Sequence, residues 1–148
     1  MGLPNTRKMG FIEFSLGNQP DPASYTSGKY SLNVPFGDFW RNRTLRVEVS
    51  FDLAGAVGAG TEIDSSRLYR DDNINHGALV PVEQQTLCTD AQVVTGRNLF
   101  TRVFADGADG IRLTNGFTGQ QLTSLIVRVF EVAQPSNLVS DSWEEPQS

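Results

Sequence analysis

The chain has 148 residues, a formal net charge of −5 at pH 7 and one cysteine. This length is typical of one domain with a single hydrophobic core, and a lone cysteine excludes an intrachain disulfide. The excess of acidic residues repels phosphate backbones and anionic lipids, and no apolar run reaches the roughly 20 residues that cross a bilayer, so neither nucleic acid nor a membrane is an expected partner.

Residues that favour turns recur at short intervals, and the apolar runs between them have the length of β-strands. The strand predicted at Arg43–Leu53 is the clearest, because apolar and polar residues alternate along it and give it one buried and one solvated face. The last strand carries apolar residues on both faces. In chain order, the eight predicted strands are Phe11–Leu16, Tyr30–Val34, Arg43–Leu53, Leu79–Val82, Gln92–Thr95, Asn98–Ala105, Ile111–Thr114 and Leu122–Val132.

Long connections at Gly17–Gly28 and Ala54–Asp72 favour a two-sheet sandwich with jelly-roll crossings over a meander of tight hairpins. One helical turn starting at Pro81 is compatible with the Glu83-Gln84-Gln85 run that follows it. We therefore predict an all-β fold, a jelly-roll β-sandwich of about eight strands at residues 10–133. An N-terminal arm at residues 1–9 and an acidic C-terminal tail at residues 134–148 flank it.

The sequence offers little for catalysis or metal binding. His76 is the only histidine, so a site with several histidines cannot be assembled within one chain. No serine or cysteine elbow is present, and Cys88 is expected to be a buried, inert thiol. We predict that the protein is not an enzyme and that it has no catalytic, cofactor-binding or metal-binding residues.

Two glycine-containing loops resemble ligand loops only in composition. Asp106 to Gly110 lacks the ligand order of an EF-hand, and a tight hairpin joining Val103–Phe104 to Ile111–Leu113 explains the segment; a cation on Asp106 and Asp109 stays an alternative. Residues 55–60 are followed by neither a helix nor a P-loop lysine. They are predicted to form a flexible loop that contacts a partner.

The segment Pro35 to Arg43 concentrates aromatic rings and guanidinium groups next to the clearest strand. Tryptophan and arginine dominate binding hot spots, and a tryptophan in a solvated tail usually docks on a surface. Alternatively, the aromatic rings plug one end of the sandwich, or Phe39 and Trp40 stack on sugars. The candidate interface residues are Phe36, Phe39, Trp40, Arg41, Arg43 and Trp143.

The strand TLRVEVSFDL, the loops around DFWRNR and GAVGAG, the closing strand SLIVRVFEV and the polar tail together resemble small jelly-roll decoration, or cement, proteins of bacteriophage capsids. The resemblance covers most of the chain. It implies a homo-oligomer, a dimer or trimer, that binds neighbouring major capsid subunits through terminal arms, here Met1–Met9 and Gln134–Ser148.

We accordingly expect a non-enzymatic virion structural protein that stabilises the major capsid shell. No signal peptide is evident at the N-terminus, so synthesis in the host cytoplasm is expected, and the protein would stay cytoplasmic if it were not part of a virion. The alternative function is a carbohydrate- or receptor-binding β-sandwich, which would use Phe39 and Trp40.

Overall fold

The computed structural model describes residues 10–37, 40, 42–71 and 78–132. The helical content of these ranges is a 3₁₀ turn at Pro22–Ser24, and none of them holds a helix that could span a membrane. The strands are β1 (Phe11–Gly17), β2 (Tyr30–Pro35), β3 (Leu45–Leu53), β4 (Glu62–Asp71), β5 (Ala78–Thr89), β6 (Gly96–Phe104), β7 (Gly110–Asn115) and β8 (Thr123–Glu131).

The strands form two four-stranded antiparallel sheets. Sheet A has the order β1-β8-β3-β6, and sheet B has the order β2-β7-β4-β5. The pairs are nested, since β1 pairs with β8, β2 with β7, β3 with β6 and β4 with β5, while β3·β8 and β4·β7 complete the sheets. Rolling one long antiparallel ribbon in this way produces a jelly roll. The predicted fold is confirmed.

The core lies between the sheets and is built from alternate residues of the strands. The Phe51 ring, which is fully buried, lies 6.2 Å from the Phe100 ring and 6.4 Å from the Phe117 ring between centroids. Burial of these rings and of the aliphatic side chains around them supplies most of the stabilisation, because each large side chain removed from water contributes roughly 1.5–3 kcal/mol. The inward residues of the two central sheet A strands are Leu45, Val47, Val49, Phe51, Leu53, Leu125, Val127 and Val129.

Strand β4 lies where the sequence predicted a long connection. Its buried residues are Ile63, Ser65, Ser66 and Leu68, so half of them are polar and they do not alternate regularly. Its pairing with β5 is also interrupted by two register shifts. Without an alternating apolar pattern, the strand cannot be recognised from hydrophobic periodicity.

Three other details of the sequence analysis differ from the structure. Gln92–Thr95 is a turn, closed by the Asn98 side chain, whose amide donates to the carbonyls of Val94 and Gly96 at 2.9 and 3.1 Å. Pro81 does not start a helical turn, because it lies inside β5 opposite Leu68. The loop at residues 105–109 is not a tight hairpin either, since it carries the chain from β6 in sheet A to β7 in sheet B.

Candidate functional site

The corner between β6 and β7 (residues 105–109) packs against the segment that holds most of the predicted interface residues. The backbone amides of Phe36 and Gly37 donate to the Asp109 carbonyl at 2.6 and 3.2 Å. Gly107, at a φ of +75°, sits so close to the 40–43 segment that a Cβ there would lie 2.8 Å from the backbone nitrogen of Asn42. The corner and the segment therefore form one packed unit.

The two described aromatic residues of this segment are part of the core. Phe36 and Trp40 are 8% and 5% exposed, and the Phe36 ring stacks on Phe14 with centroids 5.9 Å apart. This arrangement agrees with the alternative in which the aromatic rings plug one end of the sandwich. Little of the surface of either side chain is accessible to a partner or a sugar. Phe39, Arg41 and Trp143 lie outside the described residues, so their assignment to an interface stays a prediction.

Arg43 forms an ion pair within the chain. Its guanidinium pairs with Glu131 at 2.6 Å, and the other carboxylate oxygen of Glu131 accepts from the Gly10 amide at 3.2 Å. The Val132 amide donates to the Thr44 carbonyl at 2.9 Å. The start of β1, the end of β8 and the loop before β3 are thus held together at one end of sheet A.

A groove of 380 Å³ opens beside the corner. It is lined by Asn42, Arg67, Tyr69, Arg70, Asp106, Ala108 and Asp109. Arg67 is held in place by the Gly107 carbonyl at 3.1 Å and by Glu83 at 3.3 Å, and the buried Asp109 carboxylate accepts from the Arg70 amide at 2.6 Å. A half-exposed phenol beside guanidinium and amide groups can contact a polar ligand such as a glycan. This groove was not predicted from the sequence, because three of its side chains are on β4, the strand that was not predicted.

The side chains that could react with a substrate or bind a cation are Cys88, His76 and the acidic residues. Cys88 is fully buried, and burial raises the pKa of its thiol to about 12. His76 lies outside the described residues. In the described ranges no three His, Cys, Asp or Glu side chains come together as a metal site would require.

A second groove, of 310 Å³, lies beside the glycine-rich loop and holds Lys29, Glu62 and Asp64. A hydrogen bond between the two carboxyl groups raises the pKa of Glu62. The glycine-rich loop itself is tied to the chain, because the Gly58 amide donates to the Thr118 carbonyl at 2.6 Å. Its predicted contact with a partner stays a prediction.

The outer face of sheet A, meaning the side chains of its strands that point away from sheet B, was not identified from the sequence. In the strand register Phe11, Phe130, Arg46 and Val103 form one row across the sheet, and Ser15, Ile126, Ser50 and Leu99 form another. The Phe11 and Phe130 rings are 4.9 Å apart, and the Arg46 guanidinium lies 4.3 Å above the Phe130 ring. The sequence feature that could have indicated this exposed face is the β6 segment, which carries apolar residues on both of its faces.

Charged side chains on this face pair with each other. Between these two rows, Arg128 pairs with Glu13 at 2.8 Å. Arg46 lies 3.5 Å from Glu48. Arg97 lies 3.4 Å from Asp52 at the end of the face. Each guanidinium on the face therefore has a carboxylate of the same face beside it.

No protein-family model matches the chain, and no curated protein matches it. Among solved structures, it is similar to dimeric latent PorU from Porphyromonas gingivalis (15% identity, TM-score 0.43, 83% of this chain and 12% of PorU). It is also similar to infectious bursal disease virus VP2 in a subviral particle (14%, 0.47, 84% and 33%). A third match is Clostridium thermocellum xylanase 10B, CBM22-1 and GH10 modules with xylohexaose (10%, 0.39, 84% and 26%).

This chain thus spans between 12% and 33% of the lengths of these three chains. Sequence identities of 10–15% and TM-scores below 0.5 are too low for these matches to indicate what this chain does. The resemblance to capsid decoration proteins stays a prediction.

Proposed function

We propose that this protein is a non-enzymatic virion structural protein, a capsid decoration protein that binds and stabilises the shell of a major capsid protein. Jelly rolls are used mainly by viral capsid and lectin domains and by cupins. Cupin-type metal chemistry relies on histidine clusters, and this chain contains one histidine. Assembly in viral capsids and ligand binding in lectins need no such cluster.

The observation that carries the proposal is the position of the two chain ends of the sandwich. Gly10 and Glu131 are hydrogen-bonded to each other, with the Glu131 amide donating to the Gly10 carbonyl at 2.9 Å. Gly10 and Glu131, near the two limits of the described sandwich, therefore lie side by side, next to the exposed ring of Phe11. When one of two segments tethered at one point binds, the other is held at a high effective concentration near its own binding site. This property is useful in a protein that joins neighbouring shell subunits.

The test uses shells assembled from the major capsid protein that is encoded in the same genome. The full chain is mixed with these shells, and bound protein is measured by co-sedimentation. We expect saturable binding at a fixed ratio to shell subunits and a higher melting temperature of the shells, because a ligand that binds only the assembled state stabilises it. A chain that stays in the supernatant at saturating shell concentration contradicts the proposal.

A second candidate function, glycan binding, is favoured by the groove around Tyr69. Binding would be measured by a glycan array and by titration of the intrinsic fluorescence. The matched variants are Tyr69→Ala in the groove and Tyr25→Ala in the loop before β2, since both tyrosines are partly exposed. Loss of a glycan interaction in the first variant alone would support this function, and an array without any signal for the full chain would contradict it.

A further inference from the structure

We infer that the outer face of sheet A is a docking surface for a second copy of this chain. This inference rests on the homo-oligomer expected within the proposed function, and it names the surface that joins the copies. Three apolar side chains on the face are more than half exposed, Phe11 at 54%, Leu99 at 55% and Val103 at 60%. Exposed apolar groups that share one face indicate a surface that is covered in the functional state.

The outer side of sheet B provides the contrast within the same molecule. Its cross-strand neighbours are polar and hydrogen-bonded, with Ser31 3.0 Å from Thr114 and Arg112 donating to Asn33 at 2.8 Å. The Gln84 amide donates to Asp64 at 3.1 Å on the same sheet. Such pairs are satisfied in water. By contrast, the apolar strand side chains that are more than half exposed, Phe11, Leu99 and Val103, all lie on sheet A.

Charge favours a second copy as the occupant. The whole chain carries −5, whereas the outer face of sheet A carries three guanidinium groups and three carboxylates and is therefore neutral. Two identical acidic chains repel each other least through a neutral face. A basic partner would be attracted to the remaining surface, which carries all of the net charge. A face that contacts its own copy forms an isologous twofold contact, the commonest form of homodimer.

The size of the face indicates a weak, reversible dimer. Four strands spaced about 4.8 Å apart and about seven residues long at 3.4 Å each give a face of roughly 450 Å². Standard interfaces bury about 800 Å² on each partner, and smaller ones belong to transient complexes. We therefore expect monomer and dimer to coexist and to shift with protein concentration.

The test is sedimentation equilibrium of the full chain and of two matched variants, Val103→Lys and Val94→Lys. Both valines are about equally exposed, at 60% and 59%, so neither change disturbs the core. Val103 is in the apolar row of the face, while Val94 lies in the turn before β6. Each lysine also reduces the negative charge, so a general electrostatic effect would strengthen association equally in both.

We expect Val103→Lys to weaken dimerisation by about tenfold or more, because a lysine must be desolvated in the interface. Val94→Lys is expected to dimerise at least as well as the unchanged chain. Added salt should strengthen the dimer, since it screens the repulsion between two chains of charge −5. A chain that is monomeric at every concentration, or equal association of the two variants, overturns the inference.

The outcome is separable from that of the shell-binding experiment. A monomer that saturates the capsid shell would overturn the docking face and leave the proposed function in place. A dimer that depends on Val103 but does not bind the shell would support the docking face and contradict the proposed function.

Discussion

Burial decides what single side chains of this domain can do. Cys88 is enclosed by the core, and the cost of desolvating a thiolate raises its pKa to about 12, so the group stays neutral and unreactive near neutral pH. Trp40, which the sequence presented as a hot-spot candidate, is buried beside the corner at residues 105–109. Arg43, another candidate, neutralises the carboxylate of Glu131 within the same chain.

The Cys88 thiol makes stability depend on alkaline pH. Its pKa is raised from 9.0 in the unfolded reference to about 12 in the folded protein, so below pH 9 its contribution is fully present. Between pH 9 and 12 the unfolded chain ionises while the folded chain does not, and the free energy of unfolding falls by of order 1 kcal/mol per pH unit.

Urea unfolding at several pH values compares the unchanged chain with Cys88→Ala. The variant is expected to be less stable at neutral pH, because it leaves a small cavity, but to lose stability less steeply above pH 9. Tyrosine and lysine side chains titrate in both proteins, so the comparison isolates the thiol. Equal slopes for the two proteins would show that the thiol is not responsible.

The burial of Cys88 was predicted, because an unpaired cysteine is among the residue types most often found in the core. The placement of Trp40 was not, and the sequence left two alternatives for it. Its backbone lies against Gly107, which is distant in the chain, and hydrophobic periodicity describes strands rather than loops.

Among the elements, the strands with alternating apolar residues were found at nearly their observed positions, and the jelly-roll class followed from their spacing. Strand β4 was missed because two of its buried positions hold Ser65 and Ser66. The loop at residues 105–109 was mistaken for a hairpin, because an Asp-Gly sequence favours a turn without stating which strands it joins. The groove that depends on both elements was consequently not predicted.

The corner at residues 105–109 can be tested by two glycine substitutions that share one backbone conformation. Gly107 and Gly60 both have a φ of +75°, but a Cβ at Gly107 meets the backbone of residues 40–43 and one at Gly60 has nothing within 4 Å. Gly60→Ala should cost about 1–2 kcal/mol for the left-handed backbone. Gly107→Ala should cost at least about 1–3 kcal/mol more, because backbone atoms must move apart.

Chemical denaturation measures both variants. The difference between them reports the close approach of the corner to the 40–43 segment. If the two alanine variants were equally stable, that approach would not exist in solution.

For the molecule as a whole, the nested pairing brings the first and last strands together at one edge region of sheet A. Both described sheets and the described core lie within residues 10–132. Under the proposed function, the segments outside these limits supply contacts to the shell.

A chain restricted to residues 10–132 tests this division. Its melting temperature is expected to stay within about 5 °C of that of the full chain, because all eight described strands are kept. Its co-sedimentation with capsid shells is expected to be lost or strongly reduced, since tethered segments provide most of the avidity in the proposal. Undiminished shell binding by the shortened chain would assign the contact to the sandwich itself.

The nested pairing also has a consequence during synthesis on the ribosome. Of the strand pairs in the described part of the chain, β4 and β5 are the one pair joined by consecutive sequence, so a hairpin can form there while the rest of the chain is still being made. The other pairs close outwards from it, and sheet A cannot be completed before β8 has emerged. Pairing of such distant segments is slow, so the newly made chain exposes the apolar strands of sheet A until β8 has emerged.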